Sequence, residues 1–275
     1  MTAAPAPART ATAGGPNVWA QSWALSVRAV VRLFRQPTSW IPGSLFPLLL
    51  VAVNSSAMAR MADIPGVVPP GATFMMFLLP AAIIQGVMFG GINGGAELAT
   101  DIQTGFFDRL VSSPVSRPSI LVGRLGGATV FAAFQAVAFQ LILWPFGADV
   151  RGGIAGRAVL VAVAVVLALA IGSVAAGIAA RTGQAEAVQG FFPLVFILLF
   201  LSSCFFPTEL MTGWYQTVAE LNPLTFMADG MRYQVLYGFD AGEAAVALGV
   251  AGALAVLGLW FAVTGVRRRI EGGGV

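Results

Sequence analysis

Six long apolar runs constrain this chain more than anything else in it, because a helix needs ~20 predominantly apolar residues to cross a bilayer. They lie near Ile41 to Ala59, Thr73 to Gly95, Ile120 to Trp144, Ala158 to Ala180, Val188 to Phe206 and Ala244 to Val266. Some are interrupted by Gly, Pro or a polar residue, yet all are too long and too continuous for the alternating strands of a membrane β-barrel. With 57% of residues hydrophobic and only 10% charged, the chain has too little charge to clothe a soluble domain. The expectation is an all-α, polytopic membrane protein with six transmembrane helices in one domain over residues 40–266.

All basic residues are Arg, and their positions orient the spans. Arg9, Arg28, Arg32, Arg35, Arg109, Arg117, Arg124, Arg181, Arg267, Arg268 and Arg269 fall on one side, and Arg60, Arg151, Arg157 and Arg232 on the other. The positive-inside rule places the crowded side in the cytoplasm, together with both termini. The net charge of +3 is thus a topology signal rather than a nucleic-acid footprint, for which no basic and aromatic constellation exists.

Residues 1–18 are rich in Ala, Pro, Thr and Gly and lack the apolar core of a signal peptide, which predicts a disordered cytoplasmic tail. Residues 19–36 read as an amphipathic interfacial helix on the anionic leaflet, either a simple anchor or part of a gate. Trp23, Val27, Val30, Val31 and Phe34 form one face, Arg28, Arg32 and Arg35 the other, and Pro37 ends it. Residues 267–275 form a second cytoplasmic tail.

Between the second and third apolar runs lies a charged island, Glu97 to Arg117. Ile102, Phe106, Phe107, Leu110 and Val111 recur at helical spacing on one side, with Glu97, Asp101, Thr104 and Asp108 opposite. Such a segment, stopped by Pro114, is either a helix resting on the bilayer surface or a docking element for a partner.

Within the spans, Ala82, Gly86, Gly90 and Gly94, and then Gly172, Ala176 and Ala180, form ridges that let helices approach closely. Asn54, Gln85, Asn93, Gln135 and Gln140 are polar side chains at depth. They serve either neighbouring helices or a path for an amphipathic ligand, which suits neutral polar groups better than an ion does. After the fifth run, Pro207 and Pro223 interrupt helices, Trp214 and Tyr215 suit a headgroup region, and Glu209, Glu220 and Asp229 need water. Two short helices over 207–238 dipping into the outer leaflet are expected there, against the alternative of an ordinary external loop.

Several chemistries are unsupported. The chain has no His and no Lys, and its one Cys, Cys204, lies in an apolar run. No zinc site, His-dependent triad or Cys-His pair can be assembled, and no catalytic, cofactor-binding or metal-binding residue is expected. Without Lys there is no Walker A loop, and the segments outside the spans are far shorter than a nucleotide-binding domain.

The arrangement resembles the membrane permease subunits of ABC-2 type transporters, among them the daunorubicin-resistance type of exporter. The likeness runs from the basic helix before the first span to the Arg cluster after the last. One stretch carrying it is the island, through Glu97, Asp101, Gly105, Leu110, Ser113, Pro114, Val115, Ser116 and Arg117. The other follows the fifth span, through Phe206, Pro207, Glu209, Trp214, Asn222, Pro223, Leu224, Asp229 and Arg232. Gly213 departs from the pattern, since many relatives have Pro just before the aromatic residue.

The resemblance implies a separate ATP-binding cassette ATPase carrying ATP and Mg, and a second permease copy, identical or related, in contact with membrane lipid. It makes 97–117 a cytoplasmic coupling segment, with Glu97, Asp101, Ile102, Gly105, Phe106, Phe107, Asp108, Arg109, Leu110, Ser113 and Pro114 at the ATPase interface. It makes the short extracellular half-helices an outer gate through Phe206, Pro207, Glu209, Trp214, Asn222 and Pro223. The implied function is ATP-driven export of an amphipathic or hydrophobic small molecule. A six-span carrier or scaffold working without an ATPase is the alternative. Arg in place of Lys, with abundant Ala, Gly, Val and Pro, suggests a GC-rich bacterial genome and a plasma-membrane location.

Overall fold

A computed structural model describes residues 27, 31, 35, 37–64, 67–111 and 117–271. Among these the only regular structure is helical. Helix α1 (Pro37–Ala57) leads through a short 3-10 turn to α2 (Phe74–Gln103), followed by α3 (Phe106–Val111), α4 (Arg117–Leu143) and α5 (Gly153–Thr182). Then come α6 (Ala185–Gln189), α7 (Phe191–Phe200), α8 (Trp214–Leu221), α9 (Pro223–Leu236) and α10 (Ala241–Glu271). Five of them, α1, α2, α4, α5 and α10, are long and apolar enough to cross a membrane. Of the expected N-terminal amphipathic helix, only Val27, Val31 and Arg35 are described, and all three are helical.

Helices α2 and α4 are antiparallel, while α5 and α10 run parallel to each other and in the direction of α2. Thr73, the N-cap of α2, donates to the Gly147 carbonyl just beyond α4 at 3.1 Å, while Asp101 near the end of α2 pairs with Arg124 near the start of α4. One end of the bundle therefore carries the charged island, and the other carries residues 58–73, 144–153 and 237–240.

Helix α2 is the axle, almost wholly enclosed by protein. Glycines on two of its faces admit its neighbours. A Cβ on Gly86 would lie 2.8 Å from Gln135 of α4, and one on Gly95 would lie 2.4 Å from the Ala175 Cβ of α5. The expected ridge at Gly86, Gly90 and Gly94 faces α4, and a second one, Gly91 and Gly95, meets α5. Small residues serve the α5–α10 seam as well, since a Cβ on Gly258 would sit 2.7 Å from the Ala170 carbonyl. Backbones this close gain dispersion contacts that lipid tails cannot match.

The fifth apolar run corrects the expectation of six continuous spanning helices. Residues 188–206 do not form one helix. Gly190, still at helical φ and ψ, marks only a turn between α6 and α7, and the helix ends at Phe200. Ala185–Phe200 is an apolar stretch of 16 residues, about 24 Å if fully helical, short of the ~30 Å hydrocarbon core. The stop has a local cause: Ser202 turns its hydroxyl onto the Leu199 carbonyl, competing with the next helical turn. Residues 201–206 then run without regular structure, buried or half-buried throughout.

Two short helices, α8 and α9, follow. Asn222 caps both, closing α8 and accepting from the Leu224 amide at 2.9 Å to open α9, with Pro223 at the first helical position. Gly213, ahead of α8, has φ +64, a conformation closed to Pro, so the departure noted at this position has a backbone reason. Helix α10 runs on through Arg267–Arg269 to Glu271.

Candidate functional site

The charged island is not a single helix. Its first third belongs to α2, whose 30 residues rise about 45 Å, some 15 Å more than the apolar thickness of a bilayer. Thr104 closes that helix by bonding the Thr100 carbonyl through both its amide (3.0 Å) and its hydroxyl (2.9 Å), and Gly105 at φ +68 turns the chain. Helix α3 then starts afresh at Phe106. The apolar side expected from sequence splits in two ways: Ile102 and Phe107 are buried within the chain, while Phe106 is half-buried with the Arg109 guanidinium 5.9 Å from its ring.

Glu97 is half-buried, and Arg109 is exposed. Asp108 and Leu110 lie on α3 but their side chains fall outside the described residues, as do Ser113 and Pro114 altogether. Asp101 is largely buried in its ion pair with Arg124.

The polar residues at depth separate. Asn54 bonds back to the Leu50 carbonyl of its own helix at 2.8 Å, and Asn93 is half-buried on α2. Gln135 bridges α4 to α1 by donating to the Ser44 hydroxyl at 2.9 Å, and it packs over Gly86. Gln140 donates to the Ala136 carbonyl at 3.1 Å. Gln85 is buried with neither amide atom partnered, and the Gln135 and Gln140 side-chain oxygens are likewise unsatisfied. Buried amide atoms without partners are costly, roughly 1–3 kcal/mol each, so this α1–α2–α4 seam is where a donor or acceptor from outside the chain would gain most.

At the opposite end, the irregular chain after α7 is held by a polar network. Asn222 donates to the Leu198 and Leu201 carbonyls at 2.7 and 2.8 Å, Tyr215 to Phe200 at 2.7 Å, and the Ser203 amide donates to the Thr225 hydroxyl at 3.0 Å. The centre is Arg232. It donates to the carbonyls of Ser203 (2.7 Å), Cys204 (3.4 Å) and Phe77 (3.3 Å), pairs with Asp229, and stacks 3.7 Å over the Phe77 ring. Backbone outside a helix survives among apolar surroundings only when its carbonyls and amides are answered by other protein groups, and these side chains answer them.

Beside the network opens a cleft of about 260 Å³, lined among others by Phe77, Glu209, Asp229, Arg232, Tyr233 and Tyr237. Of the residues expected to gate, Pro207 and Glu209 line it, Phe206 packs half-buried against the core, and Asn222 and Pro223 form the α8–α9 joint. Trp214 points away, 72% exposed.

Sequence reasoning named Asp229 and Arg232 within the half-helix stretch but neither as a pair nor as gate residues, and it gave Arg124 no role beyond topology. The signal for Arg232 was present: an Arg on the side of the membrane that the positive-inside rule leaves poor in charge, three residues after an Asp. Arg124 offered none, since its partner is 23 residues away.

The sequence model described as ABC-2 type transporter matches residues 20–236. The daunorubicin resistance ABC transporter permease protein DrrB1 of Streptomyces coeruleorubidus is 31% identical over 162 residues, 58% of this chain and 56% of that protein. The match thus takes in little more than half the length of that relative. The inner membrane transport permease YadH of Escherichia coli K12 is 26% identical over 221 residues, 78% of this chain and 81% of that protein.

Proposed function

Because this multi-pass chain belongs to the ABC-2 type transporter family, as a permease subunit, we propose that it moves an amphipathic or hydrophobic small molecule outward across the plasma membrane, driven by a separate ATPase. The observation that carries this reading is the island end. Helix α2 overshoots the bilayer and turns at Gly105 into α3, which presents exposed Arg109 beyond the spans. Nucleotide-driven closure of the ATPase, which holds ATP and Mg, pushes on α3 and on Glu97. Both termini lie on that cytoplasmic side.

In this reading the sixth crossing is completed by α6, α7 and the irregular 201–206, with α8 and α9 folded back into the outer leaflet as a gate over the 260 Å³ cleft. A second permease copy forms the other wall of the pathway. The unpartnered Gln85 amide and the unpartnered side-chain oxygens of Gln135 and Gln140 give the passenger its polar contacts. Similarity to a daunorubicin resistance permease supports an aromatic, amphipathic passenger and makes daunorubicin the first probe.

The test is purification of the tagged permease from its native membrane, followed by transport in inverted vesicles. A stoichiometric partner bearing a Walker A loop and ATP-dependent accumulation of an amphipathic compound are expected. A permease that purifies without any ATPase, or transport indifferent to ATP, would sink the proposal.

A further inference from the structure

We propose that the island end is a two-branched linkage in which Arg124 and Arg269 are positioning residues, dividing any displacement of the α2–α3 corner between α4 and the α5–α10 pair. The inference deepens the coupling reading above and rests on it.

The first branch is the Asp101–Arg124 ion pair. Asp101 sits in the last turn of α2, beside the Gly105 corner, and Arg124 sits two turns into α4, anchored in the body of the helix rather than at its start. Both side chains are largely buried, so water and salt screen the pair less than an exposed one. The pair therefore joins the two sides of the intervening loop at its base.

The second branch starts one residue later. Ile102 points about 100° around the helix from Asp101 and reaches the turn between α5 and α6. A Cβ on Gly183 would lie 3.3 Å from the Ile102 Cγ2 and 3.3 Å from the Arg269 Nη1. Gly183 has φ +64 and no side chain, so both groups can close on it. Arg269, from α10, also donates to the Ala180 carbonyl at 3.4 Å in the last turn of α5, where a cation is favoured. Arg181 completes the clamp by donating to the Phe261 carbonyl and the Thr264 hydroxyl of α10, each at 2.8 Å, and stacking 3.7 Å over the Phe261 ring. Helices α5 and α10 are thus one unit at this end, and Ile102 rests on it.

A linkage makes different demands from an ATPase-binding surface. Arg124 should matter for transmission and for the rigidity of the corner, and not for holding the ATPase. The first arm needs no ATPase. In a Cys204→Ser background, nitroxide labels are placed at exposed Gln103 and Val122, and their separation is measured by double electron–electron resonance in nanodiscs. A narrow distribution is expected, broadened by Arg124→Gln and narrowed again by Asp101→Arg combined with Arg124→Asp. Labels at Gln103 and Glu271 should report the same broadening for Arg269→Gln. If Arg124→Gln does not fold, Arg124→Lys, which keeps the charge and loses the planar fork, should still broaden the distribution measurably.

The second arm uses the ATPase complex. Arg124→Gln is expected to co-purify with the ATPase at unchanged stoichiometry and to hydrolyse ATP, while daunorubicin moved per ATP falls at least tenfold. The charge swap should restore it to within about threefold. Distances that Arg124→Gln leaves narrow, or a swap no better than the single variants, overturn the linkage. A wild-type permease with narrow distances and no ATP-driven transport leaves the linkage standing and removes the export reading instead.

Discussion

The two ends of this molecule use arginine in different proportions. At the cleft end, Arg151 spans from the Leu236 carbonyl (3.0 Å) to the Pro70 carbonyl (2.9 Å), Arg157 pairs with Asp149 at 2.8 Å, and Arg232 is buried among three carbonyls and Asp229. Arg151 and Arg157 act at the surface and Arg232 in the interior, each answering backbone or carboxylate of its own chain, while Arg60 at the same end stands exposed. At the island end, Arg109, Arg267 and Arg268 stand exposed, beside Arg124, Arg181 and Arg269, which clamp helices together. The first pattern builds a self-contained lid. The second leaves charge available for something outside the chain while fixing the helices that would feel it.

That contrast can be broken by substitution, and thermal unfolding in detergent or nanodiscs orders the effects. The largest belongs to Arg232→Ala, which leaves buried carbonyls unanswered and unpairs the half-exposed Asp229; a loss of about 3 kcal/mol is expected, since a buried acceptor left unsatisfied costs roughly 1–3 kcal/mol. Arg232→Lys should recover little of it, because an ammonium cannot replace a planar fork that reaches three carbonyls. Next comes Asn222→Ala, which removes an N-cap and two bonds to the end of α7, with an expected cost of about 2 kcal/mol. Gly105→Ala, at φ +68 with open space around it, should cost about 1 kcal/mol from backbone strain alone. Arg109→Ala should change stability by less than about 0.5 kcal/mol and still lower ATP-driven transport. A destabilisation by Arg109→Ala comparable to that of Arg232→Ala would erase the distinction between the two ends.

Much of the fold was legible because hydropathy reads side chains, and in α1, α2, α4, α5 and α10 the side chains are the whole story. It misjudged where α2 ends, since Glu97 and Asp101 lower the local hydropathy without interrupting the helix. It misjudged the fifth run for the reverse reason. Leu201 to Phe206 is apolar enough to look like a span, but Ser202 and Ser203 draw the backbone out of helix, and only groups far along the chain make that tolerable. The same blindness to distance hid the clamps: Arg232 meets Phe77 across 155 positions, and Arg269 meets Ala180 across 89. The capping joint at Asn222-Pro223 was readable as a break in helix, but its role as anchor for the end of α7 was not.

The span of Arg232 has a consequence for how the protein comes into being. Its acceptors, at Phe77 and at Ser203 and Cys204, belong to segments synthesised well before it. Until residue 232 has left the ribosome, the Ser203 and Cys204 carbonyls lack the guanidinium that donates to them. The C-terminal part of the chain therefore completes the N-terminal part, and a nascent chain truncated between α8 and α9 should be handed to quality-control proteases although most of its spans are already made.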